Sequence, residues 1–171
     1  MSKNILITYA TYTGSAQIVA EQISANLSNK EFKTTVMPMT EVKDLSGFDA
    51  VIAGSAIHGG MWLPEAFDFL ESHKEKLNSK PFAAFLVCMT MAMKNSEKYL
   101  QFVSDFMIPV RKIVPPVSEG LFAGRLEIKK VQSLTDKIKF RISIATGVMK
   151  EGDHISSTEI LRWSDSLSHL L

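Results

Sequence analysis

Three short stretches hold residue types whose spacing suits the binding of a phosphorylated, planar ligand. The first is Thr11-Tyr12-Thr13-Gly14-Ser15, where three aliphatic hydroxyls, a tyrosine and a glycine make up five residues. They stand between an apolar run, Asn4 to Tyr9, and a stretch of helical spacing that begins at Ser15. A glycine turn at a helix start aims N–H donors and the positive end of the helix dipole at one point, and hydroxyls complete an anion cradle. The turn has no lysine or arginine, so it is not the Gly-Lys-Ser/Thr loop of nucleotide hydrolases, and it lacks the G-x-G-x-x-G dinucleotide pattern. The chemistry left to it is a monophosphate dianion held by neutral donors. The same residues also suit an ordinary Ser/Thr-rich turn that caps a helix.

The second stretch, Gly54 to Pro64, brings small residues together with His58 and Trp62. Small residues let a flat ring approach the backbone, while imidazole and indole offer planes for stacking. Alternatively, Trp62 anchors the core and His58 is an exposed loop residue. The third stretch, Cys88 to Met93, is apolar and rich in thioethers, which suits the wall of a ring pocket or the buried end of a strand. Cys88 is the single cysteine, so an internal disulfide and a zinc site built on paired cysteines are excluded. With no neighbour in sequence to lower its pKa, Cys88 reads as an inert core thiol. No Ser/His/Asp or paired-carboxylate arrangement points to hydrolysis, and no metal site is expected.

The elements that must position these loops alternate between strand and helix. Asn4 to Tyr9, Thr34 to Met39, Asp49 to Ser55, Pro81 to Met89 and Val117 to Leu126 read as five strands. Several are nearly continuous apolar runs, as expected for strands buried on both faces of a parallel sheet. Ser15 to Leu27, a stretch opening at Pro64, Ser96 to about Lys112, and a last stretch starting at Ser156 or Ser157 read as helices. The whole chain, 1–171, is therefore expected to be one three-layer, doubly wound α/β domain. Between the fifth strand and the last helix, residues 127–153 form an extra segment. Within it, Lys137 to Ile144 alternates apolar and polar residues as a strand would, yet Leu134, Ile138, Ile142, Ala145 and Met149 share a helical face. A helix is the expectation, with Lys137, Lys139 and Arg141 near the borders of that face.

Nineteen basic and eighteen acidic residues leave a formal net charge of +1, which argues against a nucleic-acid binder and a strongly acidic docking protein alike. No apolar run approaches the roughly 18 residues that span a bilayer. The N-terminal residues lack the charged start, long apolar run and cleavage site of a signal peptide. The expected location is the cytoplasm, with peripheral membrane contact left open by the basic, partly apolar stretch Lys129 to Met149. That stretch also suits a lid, a contact with an anionic substrate, or a solvated face on a packing helix.

Taken together, the three loops resemble those of the flavodoxin family, whose first loop runs roughly Ser/Thr-x-Thr-Gly-x-Thr. The chain departs from it at Ala16, where a threonine is usual. Within that superfamily the sequence is most similar to the group containing the menaquinone-dependent protoporphyrinogen dehydrogenases. Gly54-Ser55-Ala56-Ile57-His58-x-Gly60-x-Trp62, Gly120-Leu121-Phe122-Ala123-Gly124-x-Leu126 and Gly152-Asp153 before a helix with Trp163 carry that likeness. The resemblance implies a flavodoxin-like fold with a five-stranded parallel sheet in the order 2-1-3-4-5. It also implies noncovalent FMN, with Thr11, Tyr12, Thr13, Gly14, Ser15 and the Ala16 main chain at its phosphate. Ala56, Ile57, His58, Gly59, Gly60 and Trp62 would line one side of the flavin ring, and Met89, Thr90 and Met91 the other. The flavin itself would do the chemistry, with His58 as the one candidate catalytic side chain, where electron-carrying flavodoxins usually stack tryptophan or tyrosine.

Three functions follow as expectations. The first is an FMN-dependent oxidoreductase, similar to protoporphyrinogen dehydrogenase, which takes electrons from a porphyrinogen-like organic substrate and passes them to a quinone or similar acceptor. The second is a flavodoxin-type electron carrier that serves a redox partner and has no substrate of its own. The third is a fold relative that has lost flavin and acts as an interaction module.

Overall fold

A computed structural model describes residues 2–171. In chain order its elements are β1 (Asn4–Ala10), α1 (Ser15–Ser28), β2 (Lys33–Pro38), β3 (Ala50–His58), β4 (Met61–Trp62), α2 (Pro64–Ser72) and α3 (Lys74–Asn78). After these come β5 (Phe82–Val87), α4 (Leu100–Asp105), α5 (Ile108–Ile113), β6 (Ser118–Phe122), β7 (Arg125–Leu126), α6 (Leu134–Ala145), β8 (Gly152–Asp153) and α7 (Ser157–Leu167).

The apolar strands assemble as their composition requires. Five pair in parallel in the order β2-β1-β3-β5-β6, which is the expected 2-1-3-4-5 once the two-residue hairpin arm β4 is set aside. In register, Ile7 sits between Val36 and Ile52, and Ala53 faces Ala84. Because side chains alternate across a strand, successive residues feed two different cores. Leu6, Val51, Ala53, Ala84 and Leu86 pack under α2, α4 and α5 with Phe69, Leu70, Val103 and Val110. Ile5, Ile7, Ile52 and Phe85 pack under α1 and α7 with Val19, Ile23, Ile160 and Leu167. The result is the expected three-layer, doubly wound α/β fold.

Two expected elements are divided. The helix foreseen from Ser96 to Lys112 is a short 3-10 turn followed by α4 and α5, with Pro109 in the first turn of α5. Proline has no N–H to donate to the previous turn, so one helix through that point would lose a bond and crowd its ring. The strand foreseen from Val117 to Leu126 leaves the sheet after Phe122. Arg125 and Leu126 pair instead with Asp153 and Gly152 in a separate antiparallel ribbon. At the break, a Cβ on Gly124 would stand 3.0 Å from Val87 Cγ1 and 3.3 Å from Ser15 Oγ, so the chain turns there against both β5 and the start of α1.

The extra segment contains α6, which matches the helix expectation. Leu134, Ile138 and Ile142 point outward, and no residue of α6 is fully buried.

Candidate functional site

In an open parallel sheet the ligand crevice opens at the carboxyl ends of the strands, where the chain's winding reverses. Here β1 leads to β2 on one side and β3 leads to β5 on the other, so the crevice lies beyond β1 and β3. A cavity occupies it. Tyr12, Thr13 and Ser15 reach it from β1, Ala56, Ile57 and His58 from β3, and Val87 and Met89 from β5. The chain after β6 adds Gly124, Arg125, Leu126 and Glu127, and the extra segment closes the cavity with Val131 and Phe140.

The turn before α1 is open to an anion. Gly14 has φ 95°, left-handed backbone that glycine adopts without the steric cost of a Cβ, and its N–H donates to Thr11 Oγ1 at 3.0 Å. No side chain caps α1, and its first turn has no acidic residue, so its leading N–H groups face outward with no side-chain acceptor. The Ser15 hydroxyl is engaged elsewhere, accepting from the Arg125 N–H at 2.9 Å and joining this turn to the chain leaving β6. Ala16 is fully buried in the core under α1, so only its main chain is available to a ligand.

The ring side is built from aromatic and ionic contacts. Tyr12 and His58 stack with centroids 4.6 Å apart and planes 28° from parallel. His58 Nε2 lies 2.9 Å from Asp136 Oδ2 on α6. That hydrogen bond, followed by the one from Ser133, holds the Asp136 carboxyl below the usual carboxylate range. Arg125 binds Asp153 Oδ2 through Nε at 3.0 Å and Glu127 Oε1 at 3.4 Å, and the Asp153 hydrogen bond raises the guanidinium's pKa further. The enclosed volume is about 70 Å³, below the ~300 Å³ at which small-molecule pockets begin. A tricyclic ring enters only if Phe140 and the His58–Asp136 contact give way.

Of the residues expected to form the site, Tyr12, Thr13, Ser15, Ala56, Ile57, His58 and Met89 meet at the cavity. Thr11 and Gly14 shape the turn beside it. Gly59 and Gly60, with φ 60° and 81°, make the hairpin from β3 to β4 and are not among the lining residues. Trp62 is 2% exposed, belongs to the core beneath α2 and is not among the residues lining this cavity. Thr90 and Met91 fall in the turn after β5, with Met91 on a different groove beside Leu121 and Trp163. Arg125, Glu127, Val131 and Phe140 were not foreseen. Phe140 had a signal in the sequence, since with Ile144 it makes a second apolar face on α6, opposite the stripe of Leu134, Ile138 and Ile142.

The donor set fits FMN: an uncapped helix start with neutral hydroxyls for a phosphate, and a crevice lined by small, thioether and aromatic residues for the ring. Comparisons with known proteins agree. No curated protein matches. Among solved structures, the flavodoxin of Streptococcus pneumoniae TIGR4 is 17% identical with TM-score 0.61, over 98% of this chain and 99% of that one. Flavodoxin 2 of Bacillus cereus is 25% identical with TM-score 0.53, over 84% and 98%. The rubredoxin oxygen:oxidoreductase of Desulfovibrio gigas is 14% identical with TM-score 0.52, over 97% of this chain but 36% of its own. The sequence pattern of the Flavodoxin domain matches residues 6–153, which span the sheet, the crevice and the extra segment alike. On that match the chain belongs to the flavodoxin domain family, whose cofactor is FMN.

Proposed function

We propose that the chain is an FMN-dependent oxidoreductase that moves electrons between an organic substrate and a quinone or similar small acceptor. The observation that carries this reading is the covered pocket. Val131 and Phe140 of the extra segment close the crevice with apolar surface, which suits a small apolar reactant better than the docking of a protein. Bound FMN supplies reversible electron and hydride transfer. Thr11, Thr13 and the main chain of Gly14, Ser15 and Ala16 would hold its phosphate, at a helix start that favours negative charge. Tyr12, Ala56, Ile57, His58 and Met89 would line the ring, and Phe140 would exclude water from it. His58 Nε2, facing Asp136 Oδ2, is placed to hold or release a proton at the edge of the site. The likeness of Gly54–Trp62 and Gly120–Leu126 to the menaquinone-dependent protoporphyrinogen dehydrogenases supports a porphyrinogen-like reductant.

A flavodoxin-type carrier is the second reading, favoured by solved flavodoxins that align over nearly the whole chain. The net charge of +1 counts against it, since charge complementarity with basic partners speeds docking. The two readings part in one experiment. FMN-loaded protein, reduced anaerobically with dithionite, is mixed with a short-chain menaquinone or with cytochrome c. Rapid reoxidation by the quinone, and reduction of the oxidised form by protoporphyrinogen, are expected. Reoxidation by cytochrome c alone would establish the carrier.

A further inference from the structure

We infer that the outward face of α6 docks on an anionic lipid bilayer, bringing the covered pocket to the membrane surface. Leu134, Ile138 and Ile142 recur every fourth residue, span an arc of about 80° and stand 75%, 59% and 59% exposed. A stripe that narrow, left bare on the outer surface, has no packing role within the chain. Its borders are basic: Lys137 and Arg141 lie on one side and Lys139 on the other. The helix has a single carboxylate, Asp136, which turns inward to His58, with Lys139 Nζ 3.8 Å from its other oxygen. The remaining acids of the segment are also engaged. Glu127 pairs with Arg125 and Lys130, Asp153 pairs with Arg125, and Glu151 accepts from the Ile128 N–H at 3.1 Å. Lys129, Lys137, Arg141 and Lys150 form no salt bridge among the described residues.

An aliphatic stripe with flanking cations and no free acid is the pattern of a helix lying in the headgroup plane, where long basic side chains reach the phosphates. A second copy fits poorly. Its two-fold contact would set cation against cation. Three aliphatic side chains also fall short of the ~800 Å² per partner of a stable interface. The inference deepens the quinone reading and rests on it for purpose alone: the inner face of the same helix carries Phe140 into the pocket, and long-chain quinones dissolve in the bilayer.

The test is sedimentation of FMN-loaded protein with vesicles of phosphatidylcholine, or of phosphatidylcholine with one third phosphatidylglycerol, at low and high salt. The protein should pellet with the anionic vesicles, less so in high salt, and I138S/I142S and K137E/R141E should each lower partitioning by roughly tenfold or more. All four residues are off the cavity, so an unchanged FMN spectrum shows that each variant is folded. Absence of pelleting, equal pelleting with neutral vesicles, or pelleting that survives I138S/I142S overturns the inference. A concentration-dependent dimer abolished by I138S/I142S overturns it too, in favour of a second copy. Reoxidation by a water-soluble quinone is read without vesicles, so failure of the electron-transfer reading shows there while vesicle binding is unaffected.

Discussion

The strand ends and the segment 127–153 border the same cavity but are held by different forces. At the strand ends, side chains interlock inside the core: a Cβ on Gly54 would fall 2.0 Å from the ring of fully buried Phe85. The segment above them is tied mainly by charge. Val131 is its deeply buried anchor, the short ribbon with Arg125 and Leu126 ties its far end, and beyond these it relies on Phe140 and on the Arg125–Asp153, Arg125–Glu127 and His58–Asp136 pairs at or near the surface. Surface pairs of this sort contribute little to stability individually. The lower layer is therefore a rigid cradle, and the upper one a strap that opens at small cost, as expected where a bulky ring must enter.

Substitutions test that contrast. Gly54→Ala drives a methyl into Phe85 and should destabilise the fold by about 3 kcal/mol in chemical denaturation; a change within about 0.5 kcal/mol would show that the cradle yields. A Cβ at Gly14 would meet no atom within 4 Å, so the main effect of Gly14→Val comes from forcing a β-branched residue into left-handed backbone. That strain of about 1–2 kcal/mol should weaken FMN roughly tenfold in calorimetric titration. Asp136→Asn removes the charge from the contact between the strap and His58 and should raise the rate of FMN release a few-fold, at little change in stability.

The same pair predicts a pH effect. The Asp136 pKa lies below its unfolded value, chiefly through the His58 hydrogen bond, so its contribution is present above the ordinary carboxylate range and is lost as pH falls through the lowered value. FMN release should therefore accelerate on the acid side in the wild type, and that step should be missing in Asp136→Asn. Ile138→Ser, on the outer face of the strap, should change stability by less than about 0.5 kcal/mol.

The cradle was more legible in the sequence than the strap, for physical reasons. Strands buried on both faces read as apolar runs, and a Gly-containing hydroxyl turn ahead of helical spacing marks its own place. Trp62 was ambiguous because an indole serves a core or a ring equally well, and only packing beneath α2 decides. The departure of Arg125 from the sheet had no local signal, since its partner Asp153 lies 28 residues further on. In α6 both Leu134/Ile138/Ile142 and Phe140/Ile144 are apolar, so periodicity gave the helix without saying which side meets the pocket. The inward side carries Phe140 to the cavity and Asp136 to His58, a pairing across 78 residues.

The central claim is that cradle and strap form one FMN site, and amide hydrogen exchange with and without FMN tests it most directly. Protection should rise together in residues 11–16, 56–58 and 134–145 when FMN binds. Protection confined to the first two stretches, with 134–145 unchanged, would show that the strap takes no part in holding the flavin and would contradict the account.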